Sequence, residues 1–421
     1  MKREQFEIMA PVGSRESLSA ALQAGADAVY FGAGLLNMRS RSSSNFGLDD
    51  LRDLANTCRE KGVKSYLTVN SVLYDQDLPL MRQVIDSAAA VGVSAIIAAD
   101  VAAMTYALSK GLEVHLSTQL NIANIEALRF YAQFADVVVL ARELNLEQVA
   151  AIHATIQAEH ICGPSGQLIR LEMFCHGALC MAVSGKCYLS LHEYNASANR
   201  GSCYQICRRG YTVTDNETGH ELAIDNQYIM SPKDLKTIHF LNKMMDAGVS
   251  VFKIEGRARG PEYVKTVTAC YREAIEAYVD GTFSAERIQD WDARLATVFN
   301  RGFWDGYYLG QRLGEWTHAY GSSATTRKVL IGKGVKYFSK LGVAEFSLES
   351  NSLSPGDTIL ITGPTTGALE TVATEIHVNG QPVDKAVKGQ AISIPLGEKI
   401  RPSDKLYKIL AVKPSDTTQT K

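Results

Sequence analysis

From Phe6 to Gly256 the chain alternates eight short apolar runs, FEIMAPV, DAVYFGA, KSYLTVN, SAIIAAD, EVHLSTQ, ADVVVLA, LIRLEMF and VSVFKIEG, with longer amphipathic stretches. A run too short for a helix and apolar on both faces is a strand covered on both sides, the condition of a parallel sheet flanked by helices. ESLSAALQAGA, LDDLRDLANTCREKG, LPLMRQVIDSAAAVG, VAAMTYALSKG, IEALRFYAQF and LEQVAAIHATI supply those helices. Several of them end at a glycine able to stop a helix in the left-handed conformation. Eight strands alternating with helices predict an α/β fold, a (β/α)8 TIM-like barrel. An open doubly wound sheet is the alternative, but APVGS follows the first strand where a dinucleotide fold carries G-x-G-x-x-G.

Between the seventh run, at Leu168, and the eighth, at Val249, lie roughly eighty residues, far more than a usual βα connection. A cysteine-rich insertion at about 172–232 is expected there, after the seventh strand and therefore over the C-terminal face of the barrel. Beyond the helical PEYVKTVTACYREAIEAY and the aromatic NRGFWDGYYLGQ, helical periodicity stops near Ala324. VLIGKGVKYF, VAEFSL, GDTILITGP, TVATEIHVNG and QAISIPL then alternate with turn residues. They predict a small C-terminal antiparallel β-barrel over 324–413 after a barrel domain over 1–323, with a disordered tail at 414–421.

Lysine and arginine number 43 against 45 aspartates and glutamates, a net charge of −2. No overall field draws such a chain to nucleic acid, and an RNA contact would rest on a local basic patch. MKREQFEIMAPVG is too poor in apolar length for a secretory signal, and the longest apolar tract, Ser94 to Leu108, is broken by Asp100. The reading is a cytoplasmic chain without a membrane segment, in whose reducing surroundings clustered cysteines are more often metal ligands or catalytic thiols than disulfides.

Five of the eight cysteines fall in LEMFCHGALCMAVSGKCYLSLHEYNASANRGSCYQICRRGY, Leu171 to Tyr211. Cys180 and Cys187 form one pair, with six residues between them, and Cys203 and Cys207 another, with three between them. Four thiolates suit a cubane iron–sulfur cluster or a tetrahedral zinc. Zinc knuckles favour tight C-x2–4-C turns, which the first pair does not form, so the spacing leans to iron–sulfur and leaves zinc open. Cys58 and Cys270 lie on helix faces and Cys162 stands beside Gly163 and Pro164, so these read as packing residues, and Cys175 as a spare.

Glu172, Phe174, Gly177, Ala178, Leu179, Cys180, Gly185, Cys187, Leu189 and Ser190 match in spacing the signature of the collagenase-like peptidase family U-thirty-two. The chain resembles that family over nearly its whole length. SPKDL, VFKIEGRARGPEYV, YREAIEAY and RGFWDGYYLG are similar to its bacterial tRNA 5-hydroxyuridine modification branch. Despite the peptidase label, the resemblance implies oxygen-independent hydroxylation, of a tRNA wobble uridine, a ribosomal RNA cytidine or ubiquinone precursors. It also implies a 4Fe-4S cluster on Cys180, Cys187, Cys203 and Cys207, and prephenate as oxygen donor for the tRNA branch. Cys175 stands where relatives carry an apolar residue, which keeps one alternative ligand set open.

Polar side chains at barrel strand ends are costly unless they meet a ligand or each other. Asn70, Asp100, Thr118, Gln119, Arg142, Glu143, His176, Lys253, Glu255 and Arg257 occupy such positions, the last three alternating along KIEGR. His176, Glu172, Glu255 and Lys253 are the candidate catalytic groups. Arg142, Arg257, Asn70, Gln119 and, from the loop MRSRSSSNFG, Arg39 are candidates to hold a small carboxylate metabolite. An internal ion-pair network competes with both assignments. Arg200, Arg208, Arg209 and Tyr204 are candidate RNA contacts, guanidinium to phosphate and ring to unpaired base, as an anticodon loop offers. A solvated basic rim is the competing account. Three functions follow: a cluster-bearing RNA-modifying enzyme; a peptidase, though H-E-x-x-H and G-x-S-x-G are absent; and a non-enzymatic RNA-binding module. Oligomeric state has no sequence signal.

Overall fold

Eight parallel strands close on themselves in a computed structural model that describes residues 1–41, 45–212, 214–220, 228–310, 313–318 and 321–412. The first seven staves are β1 (Glu7–Pro11), β2 (Ala28–Gly32), β3 (Lys64–Val69), β4 (Ala95–Ala98), β5 (Glu113–Leu116), β6 (Val137–Val139) and β7 (Arg170–Gly177). The next strand, β8 (Asp234–Lys236), lies antiparallel to the end of β7, outside the ring. The eighth stave is β9 (Val249–Ile254), which pairs with both β1 and β7 and completes the barrel. One helix follows each of the first six strands: α1 (Arg15–Gln23), α2 (Leu51–Glu60), α3 (Leu78–Val91), α4 (Val101–Ser109), α5 (Ile125–Tyr131) and α6 (Leu146–Glu159). Their ends follow local chemistry. Ser14 accepts from Ser17 N to start α1, Asn145 from Gln148 N to start α6, and Gly92 at φ 75° stops α3. The barrel thus takes the closed form and not the open sheet.

Strand alternation divides the apolar residues between two cores. Outward side chains such as Ile8, Phe31, Leu67, Ile96 and Phe252 pack under the helices. Inward ones, Met9, Ala28, Tyr30, Tyr66, Ala95, Ile97, Val137 and Val251, fill the bore. The insertion begins later than expected: β7 continues to Gly177, so Glu172–Gly177 are barrel wall. The insertion carries α7 (Leu189–Tyr194) and returns through β8 and α8 (Leu241–Asp246) to β9. After α9 (Pro261–Val279) and α10 (Ala285–Thr297), the short β10 (Phe303–Trp304) pairs with β8.

An antiparallel sheet of eight strands follows, built on β11 (Thr326–Phe338). Register breaks near Gly332 and Gly334 bend β11, letting it pair with Val343–Leu348 and Lys405–Ala411. The sheet wraps its own core of Ile331, Phe346, Ile359, Ile392 and Leu406. Among the described residues its outermost strands, Gly367–Val372 and Gln381–Pro382, do not pair with each other. It docks on α1 and α9, where Gln23 Nε2 donates to Thr366 O at 2.9 Å and Lys328 meets Glu262 at 2.7 Å. The tail expected at 414–421 lies outside the described residues. Among those described, no helix is long and apolar enough to cross a membrane.

Candidate active site

Along β9, Val251 and Lys253 point into the bore and Phe252 and Ile254 outward, and past the strand end Glu255 and Arg257 still face the axis. They form one wall of a cavity of about 230 Å³ at the barrel mouth. The other walls come from Arg39 after β2, Thr68 and Asn70 at the end of β3, and Ser117, Thr118 and Gln119 after β5. Arg142 after β6 and Phe174 of β7 complete the barrel side, and the insertion closes the top with Cys180, Cys187, Cys203, Cys207 and Arg208. Residues scattered over the whole chain therefore meet in one chamber.

The chamber is rich in cations. Arg39 donates to Glu255 at 2.9 Å and Tyr30 OH donates to the same carboxylate at 3.3 Å. Burial pushes the Glu255 carboxyl up, but Arg39, Arg142 and Arg257 outweigh it, so the group sits below its ordinary range. Burial pushes the Arg257 guanidinium down to about 10, and its hydrogen bonds go to Thr68 Oγ1 at 3.0 Å and Asn37 Oδ1 at 3.2 Å. Arg142 lies 3.8 Å over the Phe174 ring and donates to Ala178 O at 3.1 Å. Its Nε is buried without an acceptor, and Thr118 Oγ1 and Asn199 Oδ1 on the same walls are equally unpartnered. Such atoms mark a surface shaped for a polar ligand. Asn70 and Gln119 instead satisfy each other, Asn70 Nδ2 donating to Gln119 Oε1 at 3.0 Å.

Burial pushes the thiols of Cys187 and Cys207 up, and the neighbouring thiols push further, since Cys207 feels Cys180, Cys203 and Cys187 together. The four form no disulfide. Among the described residues no three His, Cys, Asp or Glu side chains converge as ligands of a single ion. Four soft thiolates ringing one cavity are a donor set that fits a thiolate-held cluster. Arg208 holds the lid in place, donating to Pro232 O, to Leu179 O at 2.6 Å and to Ser231 Oγ at 3.1 Å. Arg200 ties it to the loop after β3 through Asp77 at 2.6 Å, lying 4.0 Å over the Tyr74 ring. At Gly201, φ 92°, a Cβ would come within 1.9 Å of Ser40 Oγ, so only glycine lets the lid close here.

Several sequence assignments change. His176 does not reach the chamber: a bulge at Cys175 breaks the alternation of β7, so Phe174 pairs with inward Lys253 but His176 with outward Ile254. Its ring packs on Tyr263, Tyr271 and Phe303, and burial pushes it down to about 3. A neutral histidine in that packing is a core residue and not an acid catalyst. Glu172 lies in the bore below the chamber, its Oε1 2.7 Å from Lys253 Nζ, and touches the cavity only through that lysine. Arg208 and Arg200 are engaged inside the protein, leaving Arg209 and Tyr204 as the exposed members of the RNA set; both lie against Tyr194. Cys175 is buried with its Sγ 3.4 Å from Lys253 O and lines no part of the chamber, which closes the alternative ligand set. Burial pushes Cys58 and Cys270 up to about 12, in keeping with packing roles. Asp100 caps α4.

The sequence reading missed a polar column beneath the chamber. Tyr66 OH donates to Glu7 at 2.7 Å, and Lys64 and Arg170 meet the same carboxylate at 3.0 and 3.2 Å. His115 reaches Glu113 at 3.0 Å and approaches Glu172 at 3.7 Å. The available signal was a charged or polar residue interrupting an apolar run, Glu7 in FEIMAPV and His115 in EVHLSTQ.

A sequence model of Peptidase family U32 matches residues 13–318, which hold every barrel strand after the first, the lid and all four chamber cysteines. The chain belongs to peptidase family U32. Among U32-related proteins it is 70% identical over 408 residues to a protein named collagenase from Porphyromonas gingivalis W83, covering 97% of this chain and 99% of that one. It is 30% identical over 420 residues to tRNA hydroxylation protein P1 of Bacillus subtilis, covering 96% and 94%. To the 23S rRNA 5-hydroxycytidine C2501 synthase of Escherichia coli it is 33% identical, over 74% of this chain and 46% of that one.

Proposed function

We propose that this U32 chain is an iron–sulfur-dependent RNA hydroxylase that converts the wobble uridine of tRNA to 5-hydroxyuridine, with a small dicarboxylate such as prephenate as oxygen donor. The observation carrying the proposal is the chamber, where four thiols face a cation-rich wall with unpartnered polar atoms. A 4Fe-4S cluster held by Cys180, Cys187, Cys203 and Cys207 would supply redox or Lewis-acid chemistry at that wall. Arg257 and Arg142 bind the carboxylates, with Thr118 Oγ1 donating to them and Asn199 Oδ1 left to accept from a hydroxyl of the oxygen donor. Glu255 fixes Arg39, and Lys253 Nζ donates to Glu172 Oε1. The lid excludes water, which strengthens each of these contacts. Arg209 and Tyr204 outside the lid suit the anticodon loop.

The collagenase-named relative supports a second reading, peptide hydrolysis. Among the described residues no histidine lines the chamber, so a thiol there has no imidazole base beside it. Mass spectrometry of nucleosides from a deletion strain, with gelatin degradation by the purified protein, tests both. Loss of 5-hydroxyuridine derivatives from tRNA without gelatin cleavage is expected. Loss of a ribosomal 5-hydroxycytidine instead would move the substrate and keep the chemistry. Unchanged RNA with gelatin cleavage by iron-free protein would overturn the proposal.

A further inference from the structure

Behind the Cys180 loop lies a second, narrower cavity that none of the roles above uses. It shares Arg142 and the stretch around Cys180 with the chamber, and its far side is aromatic, made by Trp304, Tyr307 and Trp316. Trp304 and Tyr307 meet edge to face, centroids 5.3 Å apart. The Trp304 indole is 6% exposed, yet its Nε1–H has no acceptor. An orphan buried donor in a cavity wall is an unmade hydrogen bond. Gly314 lies on the floor, where a Cβ would stand in ordinary contact with Trp316 at 3.7 Å and the Tyr307 hydroxyl at 4.0 Å, so a large side chain there would fill the slot. The exposed carboxylate of Glu143 stands on the rim.

We propose that this slot receives an unstacked nucleobase, with a uracil ring as its best fit, held against the aromatic wall beside the Cys180 loop. The inference rests on the RNA reading above and deepens it by naming where a base goes. Two features favour a base over a phenylalanine side chain. The orphan indole N–H needs an acceptor, which a uracil carbonyl offers and a phenyl ring does not. The Glu143 carboxylate accepts from a ring imino N–H, which uracil carries and a phenyl ring does not. Aromatic faces then stack the ring, as in single-strand recognition generally.

The slot can be read directly, because the chain has three tryptophans and the third, Trp291, is buried in α10 with its Nε1 on Glu273 at 2.9 Å. Titrating the full-length protein with uridine 5′-monophosphate should quench fluorescence of Trp304 and Trp316, and ribose 5-phosphate should not. Trp316→Ala should weaken the nucleotide by roughly five- to a hundredfold, the range for losing one stacking face. Trp304→Phe, which keeps a ring and removes the donor, should weaken it by about two- to tenfold. Gly314→Leu should abolish the quench; if that variant does not fold, Trp304→Phe decides. Equal binding of ribose 5-phosphate, indifferent to Trp304→Phe, would overturn the proposal in favour of a phosphate site in the chamber. Quenching by N-acetyl-phenylalanine amide and not by the nucleotide would overturn it in favour of an aromatic peptide. Binding of the nucleotide together with unchanged cellular RNA in a deletion strain would leave the slot standing and remove the hydroxylase reading.

Discussion

Two carboxylates, one buried and one half-buried, sit at opposite ends of one barrel, and they do opposite things. Glu7, at the bottom, is surrounded by Tyr66, Lys64 and Arg170, each within 3.2 Å. Burial pushes its carboxyl up, yet Arg170, Lys64 and His115 prevail and hold it down at about 2. Glu255, at the mouth, neutralises Arg39 but shares its walls with Arg142, Arg257 and Lys253. At the bottom Glu7 meets three partners, although His115 Nδ1 and Glu172 Oε2 above it make no hydrogen bond. The mouth carries surplus positive charge and orphan polar atoms on the wall of a cavity, a state whose desolvation cost an anion would offset. Buried charge alone therefore does not mark a functional site; surplus charge and open hydrogen bonds facing a cavity do.

The largest expected effect separates the two ends by rescue. Glu7→Gln should cost about 3 kcal/mol in urea unfolding, the range for breaking a buried pair, and Glu255→Gln, whose pair with Arg39 is partly exposed, should cost less. Malonate at a hundred times its Kd adds about 2.7 kcal/mol to any form whose mouth binds it, so the two variants separate by affinity. Glu255→Gln leaves Arg39 unneutralised and should bind malonate more tightly than Glu7→Gln, whose mouth is unaltered, and so regain more stability at one fixed concentration. Equal recovery at that concentration, or none in either variant, would break the comparison.

Below pH 4.5 acid should act through the bottom. The folded Glu7 carboxyl lies below its unfolded value, so its contribution is present above pH 4.5 and is lost as the pH falls toward 2. That loss amounts to about 3 kcal/mol and should vanish from the unfolding profile of Glu7→Gln. His176 adds a second window. Its folded value is depressed from 6.5 to about 3, so burying it neutral stabilises above pH 6.5 and progressively less below. His176→Phe should flatten the profile between those limits, and hydroxylation per folded molecule should persist, since the ring lies outside the chamber.

Smaller changes sharpen the contrast between filled and unfilled hydrogen bonds. Tyr66→Phe removes a satisfied hydroxyl and should cost about 1 kcal/mol. Thr118→Val removes an orphan one and should be neutral or stabilising by up to about 1 kcal/mol, while weakening malonate binding measured by calorimetry. Smallest is the rim. Arg209→Ala should lower the salt slope of tRNA binding by about 0.9, whereas Arg208→Ala should leave the slope and destabilise the lid.

The alternation of apolar runs with amphipathic stretches was enough to determine the closed barrel, its six leading helices, the place of the insertion and the all-β character of the last part. Those features are local: a strand or helix is decided by a residue's near neighbours, and periods of two and 3.6 are written in the chain itself. The clustering of Cys180, Cys187, Cys203 and Cys207 was equally legible, because the four thiols share one short stretch of a long insertion over the barrel mouth. Tertiary structure alone decided the rest. A bulge at Cys175, invisible in composition, turned His176 out of the bore. Which arginines remain for a ligand depended on partners remote in sequence, as when Arg257 meets Thr68 across 189 positions. The Glu7 column and the slot of Trp304 and Trp316 likewise exist only where distant segments meet, since satisfaction of a polar group is a property of the assembled walls and not of the residue that carries it.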